Sequence, residues 1–191
     1  MTAPGLLREV AKHLEAAGIP FMLTGSVAAA FHGAGRATMD VDLVIDATSD
    51  QLRTFVNSIS GPDIYVSSHA ALEARDLESM FNVVEAKTGW KVDLIICKSR
   101  PFSQTEFARR RFIEFDGIEL AVAALEDVII SKLEWAKLGG SARQIEDVSS
   151  LLRVAAGEVD QPYLDHWISE LGLQTQWQRA GAAAMLPPLE A

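Results

Sequence analysis

Three aspartates stand in short apolar runs of this sequence and could act together on a bound cation. Asp40 and Asp42 open the run Asp-Val-Asp-Leu-Val-Ile at 40–45, and Asp93 lies within Lys-Val-Asp-Leu-Ile-Ile at 91–96. Residues two apart in a strand point to the same face, with alpha carbons about 6.5–7 Å apart. Aspartate is rare in such surroundings unless it is paired, hydrogen-bonded or bound to metal.

Carboxylates that converge on one point repel one another, and a divalent cation relieves that repulsion. Mg²⁺ takes carboxylate and phosphate oxygens as ligands. Three carboxylates can hold two such ions about 3.5–4 Å apart, an arrangement suited to in-line phosphoryl displacement. The three aspartates together therefore favour a metal site. The alternative, preferred for any one of them alone, is that each ends a strand and faces solvent.

A Gly-Ser pair follows an earlier apolar run. Residues 19–24 predict a buried strand, and Gly25 and Ser26 turn the chain into a small-residue helix. Backbone N–H groups at a helix start, with the positive end of the helix dipole behind them, favour a phosphate. Glycine allows its close approach, and the serine hydroxyl can donate to it. Alone, such a pair is most often an N-cap.

The pattern of elements that must position these residues changes near residue 123. Before it, helical and strand spacings alternate; after it, only helical spacings occur. We predict a mixed α/β (α+β) fold, a β-sheet with flanking helices followed by a C-terminal helical bundle, with domains at 1–123 and 124–191, the second packed on the first. The predicted helices are 6–17, 27–31, 49–59, 69–77, 125–138, 142–155, 161–171 and 173–185, and the predicted strands are 19–24, 41–45, 64–66, 81–85, 91–96, 113–115 and 118–122.

Local signals mark several ends of these elements. Thr48 with Gln51, and Ser141 with Gln144, have the spacing of capping boxes. The dipeptide at 116–117, Asp-Gly, predicts a hairpin turn.

Composition excludes several classes of protein. The 191 residues are 49% apolar and 23% charged, which excludes disorder as the main state. Seventeen basic and 26 acidic residues give a net charge of −9, so we expect no long-range attraction to nucleic acid or to an anionic membrane. The single cysteine excludes a disulfide framework. The sequence has neither a signal-peptide pattern nor an 18-residue apolar run, so we expect a cytoplasmic protein with no membrane partner.

The glycine and the aspartates together resemble a known signature. Residues 23–46 read Leu-Thr-Gly-Ser, thirteen residues, then Asp-Val-Asp-Leu-Val-Ile-Asp. This pattern, with a third carboxylate on a later strand, resembles the DNA polymerase β-like nucleotidyltransferase superfamily. The stretch from His32 to Asp42, with Arg36 and Thr38, is similar more narrowly to the AbiEii/MenT-like branch, which includes toxins of toxin–antitoxin systems. The resemblance covers residues 19–96 well and 125–152 loosely.

The resemblance implies a nucleotidyltransferase domain at 1–123 that moves a nucleoside monophosphate from an NTP to an acceptor hydroxyl. The triphosphate would lie on Gly25 and Ser26, and the three aspartates would hold two Mg²⁺ ions, Asp93 being nearest the acceptor. The acceptor would be a tRNA, a protein or a small molecule, and an antitoxin protein would be a further partner. Arg36 would reach phosphate or order the loop, unless it is a plain surface residue.

Two residues of the C-terminal region also enter through the resemblance. Lys132 falls near the centre of the apolar face of its helix, where it must reach an edge, pair with a carboxylate or meet a ligand anion. The branch carries a lysine at such a place that contacts nucleotide phosphates. The segment 143–151 resembles a motif of the branch and keeps its Asp147, but Glu146 and Ser150 depart from the pattern.

Two other functions are compatible with the same residues. One is a small-molecule nucleotidyltransferase of the aminoglycoside type, which shares the Asp-x-Asp pattern and would be indicated by an acidic rim around the site. The other is a non-catalytic protein of the same fold that binds a nucleotide or a partner. The presence of all three aspartates argues against the second.

Overall fold

The computed structural model describes residues 3–35, 38, 40–115 and 118–185. Arg36 and the turn expected at 116–117 lie outside these residues. In chain order the elements are α1 (Ala3–Ala16), β1 (Phe21–Thr24), α2 (Gly25–Phe31), β2 (Asp40–Ile45), α3 (Ser49–Ile59), β3 (Ile64–Val66), α4 (Ser68–Asp76), β4 (Met80–Glu85), β5 (Lys91–Ile96), α5 (Pro101–Ala108), β6 (Arg111–Phe115), β7 (Ile118–Val122), α6 (Leu125–Gly139), α7 (Ala142–Ala155), α8 (Gln161–Glu170) and α9 (Gln174–Ala184).

The described strands form one mixed sheet in the order β3-β4-β5-β2-β1-β7-β6. The pairs β2/β5 and β1/β7 are parallel, and the other neighbours are antiparallel. The predicted mixed α/β fold with C-terminal helices is therefore confirmed. Strands β2 and β5 lie in the middle of the sheet, which is where near-continuous apolar runs are expected.

The two faces of the central strands differ in polarity. One face is apolar and buried, and the strands that form it are contacted by α1 and α4. Its side chains are Val41, Leu43 and Ile45 of β2, Val92, Leu94 and Ile96 of β5, and Phe81 and Val83 of β4. Burying each such side chain contributes about 1.5–3 kcal/mol. The same strands place Asp40, Asp42, Asn82, Lys91 and Asp93 on the opposite face, because successive side chains alternate between faces.

The chain divides into two compact units. One comprises Met1–Val27 and Ala37–Ala123, and the other comprises Ala28–Arg36 and Ala124–Ala191. In this division the segment 28–36 groups with the C-terminal helices, whereas the sequence analysis assigned it to the first domain. In the second unit α6 contacts α7, α8 and α9, around buried leucines and other apolar side chains. No helix within the described ranges has the length and apolarity needed to cross a membrane.

Two local predictions were wrong or incomplete. Helix α5 was not predicted, because its buried residues Phe102, Ser103, Glu106 and Phe107 mix apolar and polar types and leave no apolar stripe. Its start carries a signal all the same, since a proline is favoured in the first helical turn. The capping box expected at the start of α7 is absent from the described contacts, since the Ser141 side chain makes no cap hydrogen bond.

The capping box at the start of α3 is present, and it provides a test of local stability. The Thr48 hydroxyl accepts from the Gln51 N–H, and the Gln51 side chain accepts from the Thr48 N–H. We expect Thr48→Ala to lower the free energy of unfolding by about 1 kcal/mol, measured by urea denaturation. Asn57→Ala, an exposed change on the same helix, should stay within about 0.5 kcal/mol. Equal effects of the two changes would contradict the assigned cap.

Candidate active site

The sheet register brings the three predicted aspartates to one patch. Strand β2 pairs with β5 in parallel, with Asp42 opposite Asp93 and Asp40 opposite Lys91. Partners in adjacent strands lie about 4.8 Å apart and share a face. Asp40 shares that face because it lies two residues before Asp42. The Thr38 hydroxyl and the backbone of Asp40 are hydrogen-bonded at 3.2 Å, which orders the entry into β2.

The carboxylates belong to a polar row that crosses four strands. Thr24 of β1 lies opposite Asp42, and Asn82 of β4 lies opposite Asp93. The Asn82 amide donates a hydrogen bond to Asp93 Oδ1. Asn82 was not predicted as a site residue. The available signal was that Asn82 is a polar residue between the apolar residues of β4. Only strand pairing could show that it lies next to Asp93.

Lys91 is a second residue that the sequence analysis missed. Its ammonium lies 3.0 Å from Asp93 Oδ2, 3.3 Å from Asp93 Oδ1 and 3.5 Å from Asp40 Oδ1. Burial acts to lower the pKa of Lys91, but hydrogen bonds and charge from Asp93 and Asp40 outweigh it and raise that pKa above its usual value. The spacing Lys-x-Asp in a strand was the available signal, because it places both side chains on one face.

Gly25 lies directly against the Asp42 carboxylate. It begins α2 with a φ of +64°, and a Cβ built on it would overlap the Asp42 side chain. Both the backbone conformation and the close approach therefore require glycine. The next residue, Ser26, is buried. The chain thus turns from β1 into α2 at the aspartate patch, and the phosphate-binding roles of Gly25 and Ser26 stay predictions.

The donor set of this patch fits a divalent cation in its chemistry. Asp40, Asp42 and Asp93 are hard oxygen donors on one face of adjacent strands, and a cation, the Lys91 ammonium, already lies between two of them. With the side chains in these positions, the described part of the chain contains no group of three acidic, histidine or cysteine side chains ready to hold a metal ion. The register of β2 and β5 suits a metal site, but the Asp40 and Asp93 carboxylates lie against the Lys91 ammonium instead.

Lys132 and Asp147 are brought together within the second unit. Both side chains are buried, and Lys132 Nζ lies 2.6 Å from Asp147 Oδ2 and 3.2 Å from Gln144 Oε1. The sequence left three possibilities for Lys132: reaching an edge of the helix face, pairing with a carboxylate or meeting a ligand anion. The structure shows the pair with a carboxylate. It also explains why Gln144 forms no capping box, since its side-chain oxygen is used by Lys132. The nucleotide-binding roles of Lys132 and Asp147 stay predictions.

Solved structures with a similar fold include nucleotidyltransferase-like chains. One is an antigenic nucleotidyltransferase-like protein from Paracoccidioides brasiliensis, 19% identical, with 91% of this chain and 88% of that chain covered and a TM-score of 0.55. Another is the antibiotic-resistance factor ANT(2'')-Ia, 13% identical, with 91% and 95% covered and a TM-score of 0.52. At these identities the likeness is one of fold, so this chain has a nucleotidyltransferase-like fold. No protein-family model and no curated protein matches the sequence.

Gly25→Ala tests the contact between the helix start and Asp42. Gly140 offers a matched control, because its φ is +63° and the space around it is open. We expect Gly140→Ala to cost about 1 kcal/mol of stability from the backbone conformation alone. Gly25→Ala should cost about 1–3 kcal/mol more, because the added methyl group displaces the carboxylate. Urea denaturation of both variants measures the difference, and equal losses would contradict the close approach.

Lys132→Met tests the buried ion pair. Removing one partner leaves a buried charge, so we expect a loss of about 3–5 kcal/mol of stability. Lys137→Met, on the exposed side of the same helix, should cost about 1 kcal/mol or less. The double variant Lys132→Met/Asp147→Leu should cost less than the sum of its single changes, since it removes both charges. Strict additivity in thermal or urea denaturation would show that the two residues are not coupled.

Proposed function

We propose that this protein is a metal-dependent nucleotidyltransferase that moves a nucleoside monophosphate from an NTP to an acceptor hydroxyl. The observation that carries the proposal is the register of β2 and β5, which gathers Asp40, Asp42 and Asp93 on one sheet face. The turn at Gly25 lies directly against that patch. The nucleotidyltransferase-like fold adds support from outside the chain.

In this proposal the three aspartates hold Mg²⁺, two ions in all. When bound, the metal neutralises the charge that develops on the phosphate oxygens. The residues of the chain position the reactants: the backbone N–H groups at Gly25 and Ser26 receive the triphosphate, and Gly25 lets it approach because no Cβ stands there. Holding the reactants in line accounts for a large part of the rate enhancement in such transfers.

The proposed reaction forms one bond and breaks one. The acceptor oxygen bonds to the α-phosphorus, the bond from that phosphorus to the bridging oxygen breaks, and pyrophosphate leaves with the electron pair. Asp93 is the residue assigned to help remove the proton of the acceptor hydroxyl. Its side chain is buried on the sheet face that carries the other two carboxylates.

The acceptor defines the finer proposal. The resemblance of residues 32–42 to the AbiEii/MenT-like branch supports a toxin-type enzyme with a tRNA or protein acceptor and an antitoxin partner. The net charge of −9 supports instead a cationic small-molecule acceptor, because a polyanionic acceptor would be repelled. The similar fold of an antibiotic-resistance factor is compatible with that second candidate. The assay below separates these classes.

Asp42→Asn tests the proposed reaction. Protein, Mg²⁺ and each α-³²P-labelled NTP are incubated with total RNA, cell lysate or a panel of aminoglycosides, and pyrophosphate release is followed in parallel. We expect a labelled RNA, protein or small-molecule product from the unmutated chain. Asp42→Asn should lower the rate at least about a hundredfold, because it removes a metal ligand. Asp50→Asn, an exposed change on α3, should leave the rate unchanged.

The outcomes distinguish the acceptor classes and the proposal itself. A labelled band in RNA or protein supports a toxin-type enzyme. A labelled product on thin-layer chromatography supports an enzyme with a small-molecule acceptor. Undiminished transfer by Asp42→Asn would overturn the metal assignment. Folded protein that releases no pyrophosphate with any NTP or acceptor would favour the non-catalytic alternative.

A further inference from the structure

Lys91 supplies a positive charge that partly neutralises the aspartate patch. Its ammonium contacts both Asp93 oxygens and lies 3.5 Å from Asp40 Oδ1, so one positive charge bridges two carboxylates. Three carboxylates on one sheet face repel one another, and an ammonium between them relieves part of that repulsion. The lysine therefore stabilises the patch in the absence of any added cation.

Both oxygens of Asp93 are engaged as hydrogen-bond acceptors. Oδ1 accepts from the Asn82 amide and from Lys91, and Oδ2 accepts from Lys91 at 3.0 Å. The carboxylate is also buried, so few directions remain from which it can be approached. A metal ion that used Asp93 and Asp40 together would meet the ammonium, which carries a charge of the same sign. One of these donors must move before the two carboxylates can act as joint ligands.

Lys91 is the donor that can move. Asn82 has a short side chain on β4, directly opposite Asp93 in the register, so it has little freedom to leave. Lys91 has a flexible four-carbon stem and a side chain that is 36% exposed, and its ammonium can turn outward into water. Its interaction with Asp40 is also the longest of the set, and the Asp40 side chain is 46% exposed.

We propose that Lys91 is a built-in competitor for the divalent cation: its ammonium closes the Asp40–Asp93 pair without metal and turns outward when metal binds. Lys91 thereby sets the metal affinity of the site and is a positioning residue for the carboxylates. This inference rests on the proposed metal site. The opposing idea is that the ammonium stays in place as a permanent positive charge when metal binds, so that the amine is no more accessible with metal than without it.

Metal affinity without nucleotide tests whether Lys91 competes with the cation, and the reactivity of its amine tests the outward movement. Mn²⁺ is titrated into the metal-free protein and followed by electron paramagnetic resonance, for the unmutated chain, Lys91→Met, Asp42→Asn and Lys87→Met. Lys87 is the matched control, because it lies in the turn between β4 and β5, four residues before Lys91, and pairs with Asp63 instead. We expect Lys91→Met to bind Mn²⁺ about tenfold more tightly, the scale of one charge interaction at this distance when water screens it. Lys87→Met should bind like the unmutated chain.

The titration distinguishes failure of the inference from failure of the proposed function. If the unmutated chain binds Mn²⁺, Asp42→Asn does not, and Lys91→Met binds no more tightly than Lys87→Met, the metal site stands and the competitor role is overturned. If neither the unmutated chain nor Lys91→Met binds Mn²⁺ at millimolar concentration, both are overturned. Binding by Lys91→Met alone supports both.

A second variant and a measurement on the unmutated chain guard against misfolding of Lys91→Met. Lys91→Gln removes the charge but keeps a donor, and it should also bind Mn²⁺ more tightly.

In the unmutated chain, acetylation of Lys91 by an activated acetate ester, read by peptide mass spectrometry, should accelerate several-fold with saturating Mn²⁺, because the amine is released. Lys87 is the internal reference. An unchanged or slower rate at Lys91 would overturn the outward movement.

Discussion

Repulsion among three carboxylates on one face of a sheet is the constraint on which the rest of this site depends. Strand pairing forces Asp42 and Asp93 into adjacent positions, and the strand period adds Asp40 to the same face. Such a group is stable only if positive charge or hydrogen-bond donors compensate it. Lys91 and Asn82 supply that compensation within the chain. The same imbalance of charge supports the proposed divalent cation at this patch.

The sheet tolerates this polar patch because its other face carries the apolar core. Valine, leucine, isoleucine and phenylalanine side chains of β2, β4 and β5 fill most of that face and supply much of the burial that holds the central strands. Gly25 then lets the start of α2 lie against Asp42, which a side chain would prevent. The apolar core and the aspartate patch thus lie on opposite faces of the same strands.

Lys132 and Lys91 show that a lysine among apolar residues has two different physical solutions. Lys132 is buried, and its partner Asp147 comes from the neighbouring helix, so removing either residue leaves the other charge buried without its ion-pair partner. Lys91 is partly exposed, and its partners are also the proposed metal ligands. A buried lysine such as Lys132 is held in place, whereas a partly exposed lysine such as Lys91 can exchange its partners for water. Burial, rather than residue type, separates the lysine that keeps its partner from the lysine that can exchange it.

The sequence by itself determined most of the elements, the mixed fold class and the three aspartates, because these depend on local spacing: strand alternation, the Thr48 cap and glycine at helix ends. Only the tertiary structure decided which residues meet across strands and helices. The register made Asn82 and Lys91 neighbours of Asp93, and helix packing gave Lys132 the partner Asp147 and took Gln144 away from its expected cap. The eight-residue α5 escaped prediction because its buried side chains form no apolar stripe. Spacing along the chain carries the period of an element, but pairing between elements depends on contacts among residues far apart in sequence.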